Sequence, residues 1–362
     1  MYMVNGFPSS ILIVKTSSLG DIIQAFSVLD TLHIRFPKVQ IDWAVETRFL
    51  PIVASHPLIR RTIPMDIKTW KNLLPSLKDL RQERYDCVFD LQANTKSGLV
   101  TFFSRSSKKI GYSYASVREW PNLLSTNLRF NISKEQNIRS FYLELVASYF
   151  QESMVCDFPG VFFKISEEEK ELVEKIAQKA SQKKAVMVCP GSKWQNKQLP
   201  KKTLLELLQK IQQRYDTAFF LVWGDLQEKA LCQELEASLP SSYILDRLQI
   251  PVWQNVMNNM DLVLAVDSSA LHLCGTTSTP SFSVFGPTSL KVFKPIGKKH
   301  CGIQGKCPYG QVFIKQCPLL RDCETGACIK DLTSEELFQA FQSQCDFLRS
   351  SPPREFSQDL HF

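Results

Sequence analysis

No apolar stretch in the 362 residues approaches the ~18 that a membrane-spanning helix needs. Met1 to Ser10 carries neither a basic n-region nor a long apolar h-region, and the run Ile11-Leu12-Ile13-Val14 is the size of a strand. The chain therefore reads as cytosolic, with any membrane contact peripheral. GxGxxG is missing after the first strand and a Walker A pattern is missing throughout. Dinucleotide oxidoreductases and P-loop NTPases both lose ground. The charge imbalance is also small: 43 basic against 36 acidic residues, net +7. Residues 1–160 hold 19 basic and 14 acidic, so +5; the remainder holds 24 and 22, so +2. That bias fits an anionic partner for the first half and is too weak for nucleic acid.

What is present is an ordinary globular balance, 44% apolar and 22% charged. At roughly 150 residues per domain the length predicts two domains. Strands are expected at 11–15, 41–45, 87–91 and 110–112, with helices over 21–36, 73–84 and 136–150. Residues 166–184, rich in Glu, Lys and Gln, read as a surface helix leading to a second unit. There the alternation restarts: strands at 185–189, 219–223, 262–266 and 281–285, helices over 202–215, 227–238 and from 268. Residues 287–330 read as loop. Thr333 or Ser334, with Glu335 and Glu336 behind, opens a final helix to Phe347. The tail from Ser350 reads as loose. Strand–helix alternation of this kind predicts parallel sheets covered on both faces. The expected layout is a first domain over 1–165, a linker helix over 166–184, a second domain over 185–332, a final helix over 333–349 and a tail over 350–362.

Eleven cysteines are present. Cys87, Cys189 and Cys274 lie in or beside apolar runs and read as buried thiols. Cys301, Cys307, Cys317, Cys323 and Cys328 cluster in the loop-like region, with no CxxC pair and so no usual zinc spacing. Free thiols packing an irregular loop is the preferred reading; a metal or iron–sulfur site is the alternative. No metal site and no cofactor are assigned.

In doubly wound sheets, ligands sit beyond the carboxyl ends of the strands. The first such turn is Thr16-Ser17-Ser18-Leu19-Gly20-Asp21. Asp21 is either a first-turn acid that suits the helix dipole or a general base facing a ligand. In the second half, Pro190-Gly191-Ser192 is followed by Lys193 and Lys197, and a Lys there could neutralise a phosphate. Glu228 is placed to accept hydrogen bonds from ribose hydroxyls, or to serve as a helix N-terminal acid. Asp267-Ser268-Ser269 ends a strand and opens a helix of small residues, a diphosphate seat by its free N–H groups. His272 lies about one turn further on. Phe285-Gly286-Pro287-Thr288 makes another close-approach turn.

Six segments in order then resemble one family: Lys15-Thr16-Ser17-Ser18-Leu19-Gly20-Asp21, Trp43-Ala44-Val45-Glu46, Pro190-Gly191-Ser192 with Lys197, Trp223-Gly224, Asp267-Ser268-Ser269-Ala270-Leu271-His272 and Phe285-Gly286-Pro287-Thr288. The chain is similar to the family-nine glycosyltransferases, the ADP-heptose:lipopolysaccharide heptosyltransferases. The opening segments resemble the branch that adds the first heptose to a Kdo sugar on lipid A. The resemblance implies an α/β GT-B fold, two Rossmann-like parallel-sheet domains facing across a cleft, with the final helix crossing back to the first.

It further implies Asp21 as the base of an inverting transfer from ADP-heptose, with Lys197 supporting the leaving ADP. Gly191, Ser192, Lys197, Glu228, Asp267, Ser268, Ser269 and His272 would bind the donor. Ser18, Gly20, Arg60, Arg61, Gln92, Lys96 and Arg118 would bind the Kdo-lipid A acceptor. The implied setting is a monomer at the cytosolic face of the bacterial inner membrane. Trp70-Lys71 with Leu73-Leu74, and Phe102-Phe103 with Arg105, Lys108 and Lys109, are the candidates for contact with that anionic surface. Leu199 stands where the family commonly has Trp, and Ser269 where Gly is common. Alternatives are a related transferase with another donor or a later core acceptor, a non-catalytic nucleotide- or glycan-binding protein, and a redox protein built on the cysteines.

Overall fold

The computed structural model describes residues 8–66, 70–153 and 160–345, with the backbone alone for 70–73. The side chains of Trp70, Lys71 and Leu73, and the tail, lie outside the described residues. The chain divides into two compact units, residues 1–164 and 165–362.

In the first unit the order is β1 (Ser10–Val14), α1 (Leu19–Ala25), α2 (Ser27–Arg35), β2 (Gln40–Glu46), α3 (Leu50–Ala54), β3 (Arg61–Met65), α4 (Trp70–Leu80), β4 (Cys87–Asp90), α5 (Thr95–Phe103), β5 (Lys109–Tyr112), β6 (Leu128–Phe130) and α6 (Ile138–Phe150). In the second it is α7 (Glu167–Ala180), β7 (Lys184–Cys189), α8 (Lys201–Tyr215), β8 (Thr217–Leu221), α9 (Leu226–Ser238), β9 (Ser242–Ile244), α10 (Ile250–Asn258), β10 (Leu262–Val266), α11 (Ser269–Cys274), β11 (Ser281–Phe285), α12 (Leu290–Phe293), β12 (His300–Gln304), α13 (Ala327–Lys330) and α14 (Ser334–Gln344).

Central strands are apolar on both faces because helices cover both. Ile11 to Val14 and Leu262 to Val266 are almost wholly buried, as a parallel sheet between helical layers requires. The first sheet runs β3-β2-β1-β4-β5-β6 and the second β12-β11-β10-β7-β8-β9, with every strand pair parallel. Counted from its own first strand, each sheet has the order 3-2-1-4-5-6 of a Rossmann fold. The strand order reverses between β1 and β4 in one unit, and between β7 and β10 in the other. Each reversal opens a crevice at the carboxyl ends.

The helix expected over 21–36 is broken at Phe26, which ends α1 and precedes α2. Residues 166–184 are not a free linker. Their helix α7 belongs to the second unit and buries Val173, Ala177 and Ala180. The final helix, expected to cross back to the first half, also belongs to the second unit. Leu337 and Phe341 lie fully buried in that unit's core with α8 residues Leu207 and Ile211. Its start is as expected: the Thr333 hydroxyl accepts from Glu336 N at 3.2 Å, and Thr333 N donates to the Glu336 carboxylate at 2.9 Å. Leu199 is buried in the same core. Cys87, Cys189 and Cys274 are buried thiols, as expected.

Candidate functional site

The crevice between β7 and β10 is organised around one buried carboxylate. Asp267 follows β10 directly and is almost fully buried. Lys197, from the turn after β7, places Nζ 2.6 Å from Asp267 Oδ2. Thr288, from the turn after β11, donates its hydroxyl to the same oxygen at 2.6 Å. His272 Nε2 lies 3.7 Å from the other oxygen. Burial alone would raise the Asp267 pKa, but the Lys197 and His272 charges and the hydrogen bonds from Lys197 and Thr288 outweigh it and hold the group below the usual carboxylate range. Asp267 is thus a fixed anion that orients a lysine.

Ser192 donates its hydroxyl to Asp267 O at 3.4 Å, while Gln198 Nε2 donates to Ser192 O at 2.7 Å. Ser268 Oγ is buried and has no hydrogen-bond partner among the described residues, the kind of hydroxyl a ligand satisfies. Helix α11 is only six residues long. Its dipole is correspondingly small, so the charge that meets an anion comes mainly from Lys197.

Glu228 lies across the mouth of this crevice. Its carboxylate accepts from Gly224 N at 2.6 Å. It also presses on Gly191, where a Cβ would fall 2.0 Å from the nearest carboxylate oxygen. Only glycine at 191 leaves Glu228 in this pose. Half-burial raises the Glu228 pKa, although the Gly224 hydrogen bond opposes it. The helix-acid alternative for Glu228 also holds: it is the acid in the first turn of α9, whose cap is Asp225, accepting from Glu228 N at 2.9 Å.

Two residues outside the expected set support Lys197. Asn196 Nδ2 donates to Leu320 O at 3.2 Å and Cys323 O at 2.8 Å, and Arg321 lies over the Trp194 ring at 4.9 Å. The cysteine-bearing loop is tied on its other side to the turn carrying Thr288, through Cys317 N to Pro287 O at 2.6 Å and Ser289 N to Lys315 O at 2.9 Å. Asn196 has no chemical signature that local sequence could single out for this role, whereas Thr288 lies in the close-approach turn expected after β11. Cys317 and Cys328 are buried and Cys307 and Cys323 half-buried, all as free thiols. Among the described residues, no group of three or more His, Cys, Asp or Glu side chains is placed to hold a metal ion.

In the first unit the β1–β4 crevice gathers most of the expected acceptor residues. Asp21 Oδ2 accepts from Ser18 N at 3.2 Å and Ser18 Oγ at 2.8 Å, closing the start of α1. The helix-capping reading of Asp21 is therefore fulfilled, and its half-exposed carboxylate stays at the carboxyl end of the sheet. Gly20 shares this turn. Gln92 exchanges long hydrogen bonds, 3.4 Å each, with Ser17 N and Ser17 Oγ, linking the turns after β1 and β4. Asp90 faces inward, where its carboxylate holds Gln92 N, Ala93 N, Thr101 and Asn122.

Arg118 is set above this loop by its backbone N–H on Ala93 O. Its exposed guanidinium makes no hydrogen bond or ion pair among the described residues. Lys96, in the first turn of α5, is likewise exposed and unpaired. Tyr142 of α6 was not singled out by the sequence. It is buried beneath these groups, with Lys15 Nζ 5.3 Å from its ring. Burial drives its pKa well up, the Asp21 charge adds to this, and the Arg118 charge opposes it.

Arg60 and Arg61 do not join this crevice. They stand at the amino ends of the strands, where both pair with the buried Asp42: Arg60 at 2.7 Å and Arg61 at 3.1 Å. Tyr85 donates to the same carboxylate at 2.7 Å. All strands being parallel, that end is opposite the ligand end, and these arginines compensate a buried charge.

The matching of this arrangement to known proteins is direct. The sequence model of glycosyltransferase family 9 (heptosyltransferase) matches residues 75–321. The chain belongs to glycosyltransferase family 9. Family 9 relatives include lipopolysaccharide heptosyltransferase 1 of Campylobacter coli, 30% identical over 77% of this chain and 84% of that protein. The Pseudomonas aeruginosa enzyme of the same name is 26% identical over 85% and 87%. In fold, the Escherichia coli heptosyltransferase WaaC with ADP superposes with a TM-score of 0.74 at 20% identity, covering 92% of this chain and 99% of that one. A family 9 structure from Veillonella parvula gives 0.77 at 15% identity, covering 96% and 99%. The two Rossmann-like units are those of a GT-B glycosyltransferase, and the chain is a family 9 heptosyltransferase.

Proposed function

We propose that this family 9 enzyme moves a heptose from ADP-heptose onto a Kdo sugar of a lipid A-linked inner core, with inversion, during lipopolysaccharide assembly. The observation that carries the reading is the lysine held by a buried aspartate at the β7–β10 reversal, beside an unsatisfied serine hydroxyl. A nucleotide diphosphate is the ligand such a crevice suits. The names of the relatives supply the heptose and the glycolipid, and the ADP bound to the Escherichia coli enzyme supplies the nucleotide.

In this mechanism the acceptor hydroxyl attacks the anomeric carbon of the heptose while Asp21 takes its proton. The bond from that carbon to the diphosphate oxygen breaks, and ADP leaves with the electron pair. Lys197 neutralises the charge that develops on the diphosphate, with Gly191, Ser192, Ser268 and Ser269 approaching its oxygens, which is electrostatic stabilisation of the departing group. Glu228 accepts from the ribose hydroxyls, and Asp267 and His272 shape the pocket and aim Lys197. Ser18, Gly20 and Gln92 line the acceptor side. The cations of Lys96 and Arg118 meet the anionic groups of the acceptor. The enzyme works as a monomer at the cytosolic face of the inner membrane. No helix among the described residues is long and apolar enough to cross a membrane, which fits peripheral attachment.

The test is ADP release from ADP-heptose with Kdo-lipid A, against GDP- and UDP-sugar controls. ADP release confined to the heptose donor is expected. Asp21→Ala is expected to lower kcat by about a hundredfold or more while leaving ADP affinity close to wild type. Turnover with GDP- or UDP-sugars alone, or an unchanged kcat in Asp21→Ala, overturns the reading.

A further inference from the structure

The positive excess of the first half is concentrated in one stretch. Residues 91–134 contain seven basic side chains and one acidic, Glu119. Glu119 is itself engaged, accepting from Thr95 N at 2.9 Å and Thr95 Oγ1 at 2.6 Å. The same stretch exposes four large apolar side chains: Phe102 at 58%, Trp120 at 66%, Leu124 at 76% and Tyr114 at 80%. A single exposed apolar side chain needs no explanation. Four within this stretch, beside cations that form no ion pair among the described residues, mark an interaction surface.

The segment is held firmly. The 3-10 turn Trp120–Ser125 packs along α5, so closely that a Cβ at Gly98 would lie 3.1 Å from Ser125 Oγ. Asn122 Nδ2 bridges Asp90 Oδ2 at 2.6 Å and Asn94 O at 3.0 Å. Lys109 Nζ donates to Phe102 O at 2.6 Å and lies 5.7 Å from the Phe102 ring. The apolar side chains therefore stand on a rigid base that could pay no ordering cost on contact.

We propose that this face of the first unit, α5 with the Trp120–Ser125 turn and the Tyr114 loop, docks on an anionic lipid bilayer. Charge complementarity selects the occupant: aromatic rings settle at the headgroup level, aliphatic side chains enter the acyl boundary, and Lys and Arg meet anionic headgroups. A second exposed apolar group, Tyr309, Val312 and Ile314 in the second unit, lacks that charge excess: residues 305–325 hold three basic and two acidic side chains. The proposal rests on the reading that the acceptor is a lipid-anchored glycan, and it names the surface that brings the enzyme to it.

Flotation of the full chain with vesicles tests this. Vesicles of phosphatidylglycerol and phosphatidylcholine in equal parts are expected to carry the protein, pure phosphatidylcholine vesicles far less, and high salt to release it. Trp120→Ser with Leu124→Ser is expected to weaken partition to the anionic vesicles about tenfold. Heptose transfer to a deacylated, water-soluble Kdo acceptor should stay at the wild-type rate in that variant, which also shows that it is folded. Should the double variant lose that activity, Phe102→Ser replaces it as the test. Three results overturn the proposal: no binding of the wild type to anionic vesicles, unchanged binding by the variants, or loss of binding on Val312→Ser with Ile314→Ser instead. Vesicle binding without any heptose transfer leaves the docking surface standing and removes the enzymatic reading. Transfer without vesicle binding does the reverse.

Discussion

Glu228 is held where a charge is costly. Half-burial raises its pKa, so the folded protein binds a proton there more readily than the unfolded chain does. The sign follows: the stability tied to this group is present at low pH and is lost as pH rises from the unfolded value through the folded one. At neutral pH the ionised carboxylate is a cost to the fold, kept for what it holds. Glu228→Gln is therefore expected to leave Tm unchanged or slightly higher at pH 7. The same variant should raise the donor KM about tenfold, as expected for one lost hydrogen bond to a charged acceptor. Thermal melting and donor titration on one preparation check both; a lower Tm with an unchanged KM would show that Glu228 serves the fold alone.

At the scale of elements, the cysteine-bearing loop works as a brace. It grips the turn after β7 through Asn196 and the turn after β11 through Cys317 and Lys315. Those turns deliver Lys197 and Thr288 to Asp267. Asn196 touches no reacting atom in this scheme and acts by positioning Lys197. Asn196→Ala should raise the KM for ADP-heptose about tenfold, the cost of roughly one misplaced charged contact, and leave the acceptor KM unchanged. Asn196→Asp, which cannot donate to the two carbonyls, should fail to rescue it. An equal rise in both KM values would point to general loosening instead.

Much of this is legible in the sequence alone, for a physical reason. Ile11 to Val14, Leu262 to Val266 and Ser281 to Phe285 are central, doubly covered strands, and such strands announce themselves as apolar runs. The outer strands β3, β6, β9 and β12 are not marked in the sequence. They are short or interrupted by Pro64 or Gly302, and half-covered, so no apolar run betrays them. Helices α5 and α10 are not marked either: each is only nine residues long, with Gly98 inside α5 and Gln254 and Asn255 interrupting the apolar positions of α10. The proposed site residues Asp21, Lys197, Glu228 and Asp267 stand out in the sequence because each follows a strand in a distinctive turn. Arg60 and Arg61 misled because the sequence does not tell the amino end of an unseen edge strand from a ligand-facing loop.

At the scale of the whole molecule, each unit carries a buried group that makes it sensitive to acid: Asp267 in the second and His56 in the first. His56 is buried in the first unit, 4.9 Å from the Phe26 ring and 5.6 Å from the Phe163 ring. Burial lowers its pKa to about 3, with the Lys164 charge adding to the shift. The neutral ring is the folded form. Its contribution to stability is present above the unfolded value of about 6.5 and is lost as pH falls toward 3, on the order of 3 kcal/mol by pH 4.5. Hydrogen exchange, corrected for intrinsic rates, should therefore show β1 and β2 losing protection as pH falls below about 6.5. His56→Gln should flatten that pH dependence; an unchanged slope would assign the effect to other groups.

The repeated strand order has a further consequence. Each unit closes its own sheet and carries its own reversal point, so under the proposed roles the chemistry of the leaving group and that of the attacking group are written on separate stretches of chain. A lineage can retune which sugar nucleotide is accepted by changing the turns after β7, β8 and β10, and leave every residue that meets the glycan untouched. Diversification of such an enzyme is then two searches of moderate size in place of one large one.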